Sequence, residues 1–92
     1  MPRTEHLSNI APNRIYALDA QVLYTHSTGR TTTAIVGQEN SQAKMKIPNA
    51  LMNEEDGIEE GANYHFGFCY IGKNGWISVR HPETSIRPLQ EN

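Results

Sequence analysis

Four histidines (His6, His26, His65 and His81) and a single cysteine, Cys69, are the side chains of this sequence best suited to hold a transition metal. None stands in a C-x-x-C or H-x₃-H arrangement, the spacings that let neighbouring ligands converge on one ion. His65 and Cys69 share strand parity, but four residues of extended chain hold their Cα atoms roughly 13 Å apart. Cys69 is therefore expected to be a small core residue, and the histidines ordinary polar groups. Asn53-Glu54-Glu55-Asp56-Gly57 carries hard oxygen ligands. Aligning Gly57 with the invariant glycine of an EF-hand loop puts Met52 first and Asn63 last, where carboxylates are needed. No nucleophile elbow and no phosphate-cradling glycine loop occurs. Glu54, Glu55, Asp56, Glu59 and Glu60 are half of the ten acidic residues. In one run they read as a solvated face rather than a catalytic carboxylate pair. The sequence predicts a non-enzymatic protein with no cofactor, no metal and no small-molecule substrate.

The charge distribution says more than the net charge of −2. Outside residues 54–60 stand eight Lys and Arg against five Asp and Glu, or +3. The molecule is expected to be polarised, with an acidic edge and a mildly basic surface. Ninety-two residues make one domain, and 37% hydrophobic with 20% charged residues is a foldable composition. The pI of about 6.0 excludes a strongly basic, histone-like protein. One cysteine excludes an intrachain disulfide framework. No apolar run approaches the ~20 residues that span a bilayer, and residues 1–10 have no signal-peptide core. The expected location is the cytoplasm, or the host cytoplasm if the chain is phage-encoded.

Which elements would position these groups follows from hydrophobic periodicity. Residues 1–13 read as a loosely held arm, 14–81 as the folded body and 82–92 as a tail. In 14–26, Tyr16, Leu18, Ala20, Val22 and Tyr24 share one parity and Asp19, Gln21 and Thr25 sit on the other, which marks a long, half-buried and bent strand. Gly29 supplies a turn, and the β-branched stretch 31–37 a second strand. In the third strand, 43–47, Met45 and Ile47 face one way and Lys44 and Lys46 the other. Pro48 ends it, because it has no N–H to donate. Asn49 is a candidate N-cap for a short helix holding Leu51, Met52 and Ile58. The fourth strand, 64–71, puts Tyr64, Phe66, Phe68 and Tyr70 on one face, with a bulge or bend at Gly67. Asn74-Gly75 predicts a type I′ hairpin turn. The fifth strand, 76–81, sets Ile77 and Val79 opposite Trp76, Ser78 and Arg80.

Three strands, a short helix and two strands resemble the layout of an OB-type five-stranded Greek-key barrel, whose helix lies between strands three and four. Residues 57–66, an acidic, glycine-bearing turn leading into an apolar strand, are similar to the approach to the fourth OB strand. An SH3-like barrel and a five-stranded α+β sheet fit the same element order. The OB resemblance implies a ligand surface across strands two and three, flanked by the 1–2 and 4–5 loops. Carried onto this chain, that surface holds Arg30, Lys44, Lys46, Lys73, Trp76 and Arg80. Cations along phosphates and an aromatic ring under a base are what single-stranded DNA or RNA requires.

Each part of this set has a plainer role as well. Lys44 and Lys46 match any exposed strand, where lysine blocks edge-to-edge pairing. Trp76 suits the lid of a barrel end, and the four aromatics of strand four suit a core. A second reading is a phage or mobile-element inhibitor or adaptor of anti-CRISPR or anti-restriction type. It would bind a host protein or ribonucleoprotein complex, with Glu54, Glu55, Asp56, Glu59 and Glu60 mimicking phosphate charge. The first reading needs Lys44 and Lys46; the second needs the acidic run. A third, a small enzyme subunit or metabolite binder, requires a pocket with perturbed titratable groups.

Overall fold

The computed structural model describes residues 3–48, 58–80 and 86–89. Six strands form one sheet: β1 (Ile15–Thr28), β2 (Thr31–Gln38), β3 (Ser41–Pro48), β4 (Asn63–Ile71), β5 (Ile77–Val79) and β6 (Ile86–Pro88). β1, β2 and β3 form an antiparallel meander. β3 then pairs in parallel with β5, β5 antiparallel with β4, and β4 antiparallel with β1, which closes a five-stranded barrel. β6 pairs with Tyr64 to Phe66 of β4, while β5 pairs with Cys69 to Ile71 farther along the same strand. Thus Ile86–Pro88, within the segment expected as a tail, lies in the sheet.

The alternation of β3 fixes what faces the barrel interior. Met45 and Ile47 are fully buried, and Lys44 and Lys46 are exposed. Leu18, Val22, Val36, Phe66 and Ile77 complete the core with them. Cys69 lies in that core, and burial pushes its thiol up to about 12, because a thiolate there would lack solvation.

Two bulges redirect the sequence pattern. β1 changes register between Val22 and Tyr24. Val22 is buried, but Leu23 and Tyr24 are exposed, so Tyr24 does not share the inner face with Leu18 and Ala20. On β4, Leu18 pairs with Phe66 and Tyr16 with Cys69, so β4 accommodates one more residue than β1. Tyr64 and Phe66 point inward before this bulge, and Cys69 and Ile71 after it. Phe68 and Tyr70 therefore leave the expected aromatic core. The irregularity lies beside Gly67, the bend expected there.

In the connection between β3 and β4, the described residues 58–62 do not form the expected helix. Among the described residues the sole helical turn is a 3₁₀ turn at Leu7–Asn9, and Ile58–Ala62 forms a turn. Gly61 there has φ +89°, outside helical geometry, and its N–H donates to Val22 O while Ala62 O accepts from Val22 N–H. Asn49, Leu51 and Met52 of the expected helix lie outside the described residues.

The N-terminal segment, expected to be loose, is tied down. Glu5 N–H donates to Ala17 O, and Ala17 N–H donates to Arg3 O. Leu7 is buried, its N–H donates to Gln38 Oε1 at 2.8 Å, and Gln38 Nε2 donates to Asp19 O. One glutamine at the end of β2 thus clasps the 3₁₀ turn to β1.

Candidate nucleic-acid interface

The outer face of the barrel is set by register. Lys46 stands beside Thr33 of β2 and Ser78 of β5, and Lys44 beside Ile35. Trp76 immediately precedes β5. Parallel pairing of β3 and β5 therefore brings Trp76, some thirty residues distant in sequence, level with the two lysines. Lys46 Nζ lies 4.7 Å from the Trp76 ring centroid and Lys44 Nζ 5.4 Å, both within cation–π range. The hairpin before β5 holds the ring in place. Gly72 N–H donates to Trp76 O at 2.8 Å, and Trp76 N–H donates to Asn74 Oδ1 at 3.2 Å.

That hairpin is not the expected type I′ turn. Gly75 has φ +84°, whereas Lys73 and Asn74 keep negative φ, and Gly75 N–H donates to Gly72 O. A turn with the left-handed residue last is the three-residue hairpin with a glycine bulge. It directs Trp76 over the outer face. An open groove of about 510 Å³ runs beside the ring, lined among others by Ile35, Lys44 and Asn74, with Leu7 and Ile10 from the clasped N-terminal segment.

The six sequence-predicted residues divide into a centre and its flanks. Lys44, Lys46 and Trp76 form one cluster. Arg80, one residue beyond β5, places its guanidinium 5.3 Å from the Tyr70 ring rather than on Trp76. Arg30 is exposed in the β1–β2 turn, beside the Thr31–Pro48 end of the face. Lys73 is exposed in the β4–β5 hairpin, at the end where β3 begins, so Arg30 and Lys73 bracket the face from opposite ends. Of the acidic run, Glu59 and Glu60 are exposed, while Glu54, Glu55 and Asp56 lie outside the described residues.

Sequence reasoning missed the aromatic content of this surface. Tyr24, 49% exposed, stands opposite Ile35, and Tyr70 stands opposite Ser78. Both were assigned inward by a period-two pattern that does not register a bulge. The available signals were Gly67 in β4 and the length of the first strand, which called for a bend.

No protein-family model matches this chain, and no curated protein matches it in sequence. Solved structures do match it. A domain of replication protein A from Methanococcus maripaludis superposes with a TM-score of 0.78 at 15% identity, covering 96% of this chain and 97% of that one. An OB domain from Methanosarcina mazei gives 0.74 at 20% identity, covering 99% and 87%. This protein has an OB fold. The Pot1pC domain of Schizosaccharomyces pombe, solved bound to single-stranded DNA, gives 0.66 at 16% identity, covering 94% and 86%. At these identities the likeness concerns the OB barrel alone. In OB barrels generally, the face of strands two and three with its two flanking loops is the ligand surface, and here that face carries Lys44 and Lys46.

Proposed function

We propose that this OB barrel binds single-stranded nucleic acid across the outer face of β2, β3 and β5. Trp76 stacks with a base, and Lys44 and Lys46 neutralise phosphates. Arg30, Lys73 and Arg80 extend the positive surface to either side. The observation that carries the reading is the convergence of two lysines on one half-buried tryptophan beside an open groove. The ring face attracts both ammonium groups, and passing phosphates would neutralise them. Backbone charge and ring stacking do not depend on base identity, so binding is sequence-tolerant. OB neighbours that include a single-stranded DNA complex support the same reading.

The test is fluorescence anisotropy with labelled single-stranded DNA and RNA at two salt concentrations, comparing wild type with Lys44→Ala/Lys46→Ala. Micromolar or tighter binding that weakens with salt and with the double substitution is expected. Absence of binding at low salt refutes the proposal.

A further inference from the structure

We infer that the nucleic-acid path does not end on β2, β3 and β5 but continues around the barrel onto β4 and β1, where Tyr70 is a second base-stacking platform served by Arg80 and Arg14. This rests on the function proposed above and extends its site.

The register supplies the path. His26, Thr33, Lys46, Ser78, Tyr70 and Ile15 are successive cross-strand partners, on β1, β2, β3, β5, β4 and back to β1. None of the six is buried, so the row is an unbroken outward band around the barrel. Lys46 and Tyr70 are two strand spacings apart, about 10 Å. A strand lying against Trp76 and Lys46 reaches Tyr70 without leaving the surface.

Tyr70 is prepared as a platform. Its hydroxyl donates to Asn13 Oδ1 at 3.1 Å, and Asn13, with φ 63°, donates its own N–H to Ile71 O at 2.8 Å. The ring is thus held at both ends and loses little freedom on binding a base. The Arg80 guanidinium lies 5.3 Å from the ring centroid, repeating the cation-on-aromatic arrangement of Trp76. Beyond Tyr70 opens a groove of about 610 Å³ lined by Arg3, Arg14 and Ile15, with Glu5 as its carboxylate. Glu5, its side chain mostly buried, lies 3.9 Å from Arg3, so among the described residues lining the groove two arginines face one carboxylate. Arg14 is also well placed, because its carbonyl accepts the Ile71 N–H at 3.0 Å. Ile15, 50% exposed opposite Tyr70, offers apolar contact to a sugar or base.

The experiment compares a thymidine dinucleotide, too short to cover both platforms about 10 Å apart, with an oligothymidylate of about twelve nucleotides, within the range of OB site sizes. Wild type, Arg14→Ala/Arg80→Ala, Tyr70→Leu and Lys44→Ala/Lys46→Ala are measured, with folding checked by circular dichroism. The expected result is a roughly tenfold loss for Arg14→Ala/Arg80→Ala on the long oligomer, with the salt slope reduced by about 1.4 for two lost phosphate contacts. The short oligomer, held at Trp76, changes less than about twofold. Tyr70→Leu follows the same length dependence; if that variant does not fold, the arginine pair decides alone. Equal losses on both lengths overturn the second platform, as does an unchanged affinity on both. If Lys44→Ala/Lys46→Ala still weakens both lengths in those cases, the function proposed above stands without its extension. If wild type binds neither length, both fall.

Discussion

Trp76 is the only tryptophan in the chain, so its emission reports on one site. A stacked base quenches indole fluorescence, and titration with single-stranded DNA should quench it to saturation. Removing the ring by Trp76→Ala forfeits one base stack, about 1–3 kcal/mol, or roughly 5- to 150-fold in affinity. The structure favours the lower half of that range. Lys44 and Lys46 already occupy positions 5.4 and 4.7 Å from the ring centroid. A base taking their place sacrifices cation–π contacts worth about 0.5–1 kcal/mol each at an exposed site, partly recovered when the ammonium groups move to phosphates. About tenfold is the expected loss for Trp76→Ala. Salt separates the ring from its lysines. Stacking is a contact between uncharged faces, so the Trp76→Ala penalty should persist as salt rises. The Lys44→Ala/Lys46→Ala penalty should shrink, with the slope of log affinity against log salt smaller by about 1.4 for single strands. Saturable anisotropy binding without tryptophan quenching would refute the stacking assignment. So would a Trp76→Ala penalty that disappears with salt in parallel with the lysine penalty.

Other perturbations test how the site is supported. Gly75→Ala forces a side chain into φ +84° and should cost about 1–2 kcal/mol of stability, read by urea denaturation, together with weaker DNA binding as the hairpin under Trp76 shifts. Phe66→Ala empties a fully buried aromatic site and should cost about 3–5 kcal/mol, enough to leave much of the protein unfolded at 37 °C. Cys69, raised to about 12 in the folded state from 9.0, should resist Ellman's reagent until the protein is denatured. The folded state binds the thiol proton more tightly than the unfolded state does. Stability is therefore full below the unfolded value and falls above it, by roughly 1 kcal/mol at pH 10 relative to the pH profile of Cys69→Ala.

The central part of the site was legible because a period of two is local. Lysines alternating with Met45 and Ile47 allow a single arrangement once one face is buried, and β3 adopts it. Ile77 and Val79 likewise fix the side from which Trp76 and Arg80 project. Tyr24 and Tyr70 were not legible in the same way. Tyrosine is amphipathic and fits either face of a strand, so its side is decided by register. The bulges that set the register arise from fitting β1 against both β2 and β4 in a closed barrel, a requirement that no single strand expresses. The 3₁₀ turn and its Gln38 clasp were hidden for a related reason. Residues 1–13 are polar in sequence, and the burial of Leu7 requires a barrel end to receive it.

By itself, then, the sequence determined the five barrel strands (but not β6), most of their turns, the lysine face of β3 and the absence of a recognisable catalytic or metal motif. All of these depend on residue type and on neighbours within a few positions. Tertiary structure alone decided which lysines meet which ring, because the parallel β3–β5 pairing exists only once the barrel closes. It also decided that Tyr70 and Arg80 form a second cation–aromatic pair on the same outward band. Strand periodicity specifies two faces, and closure specifies which residues from distant strands share one.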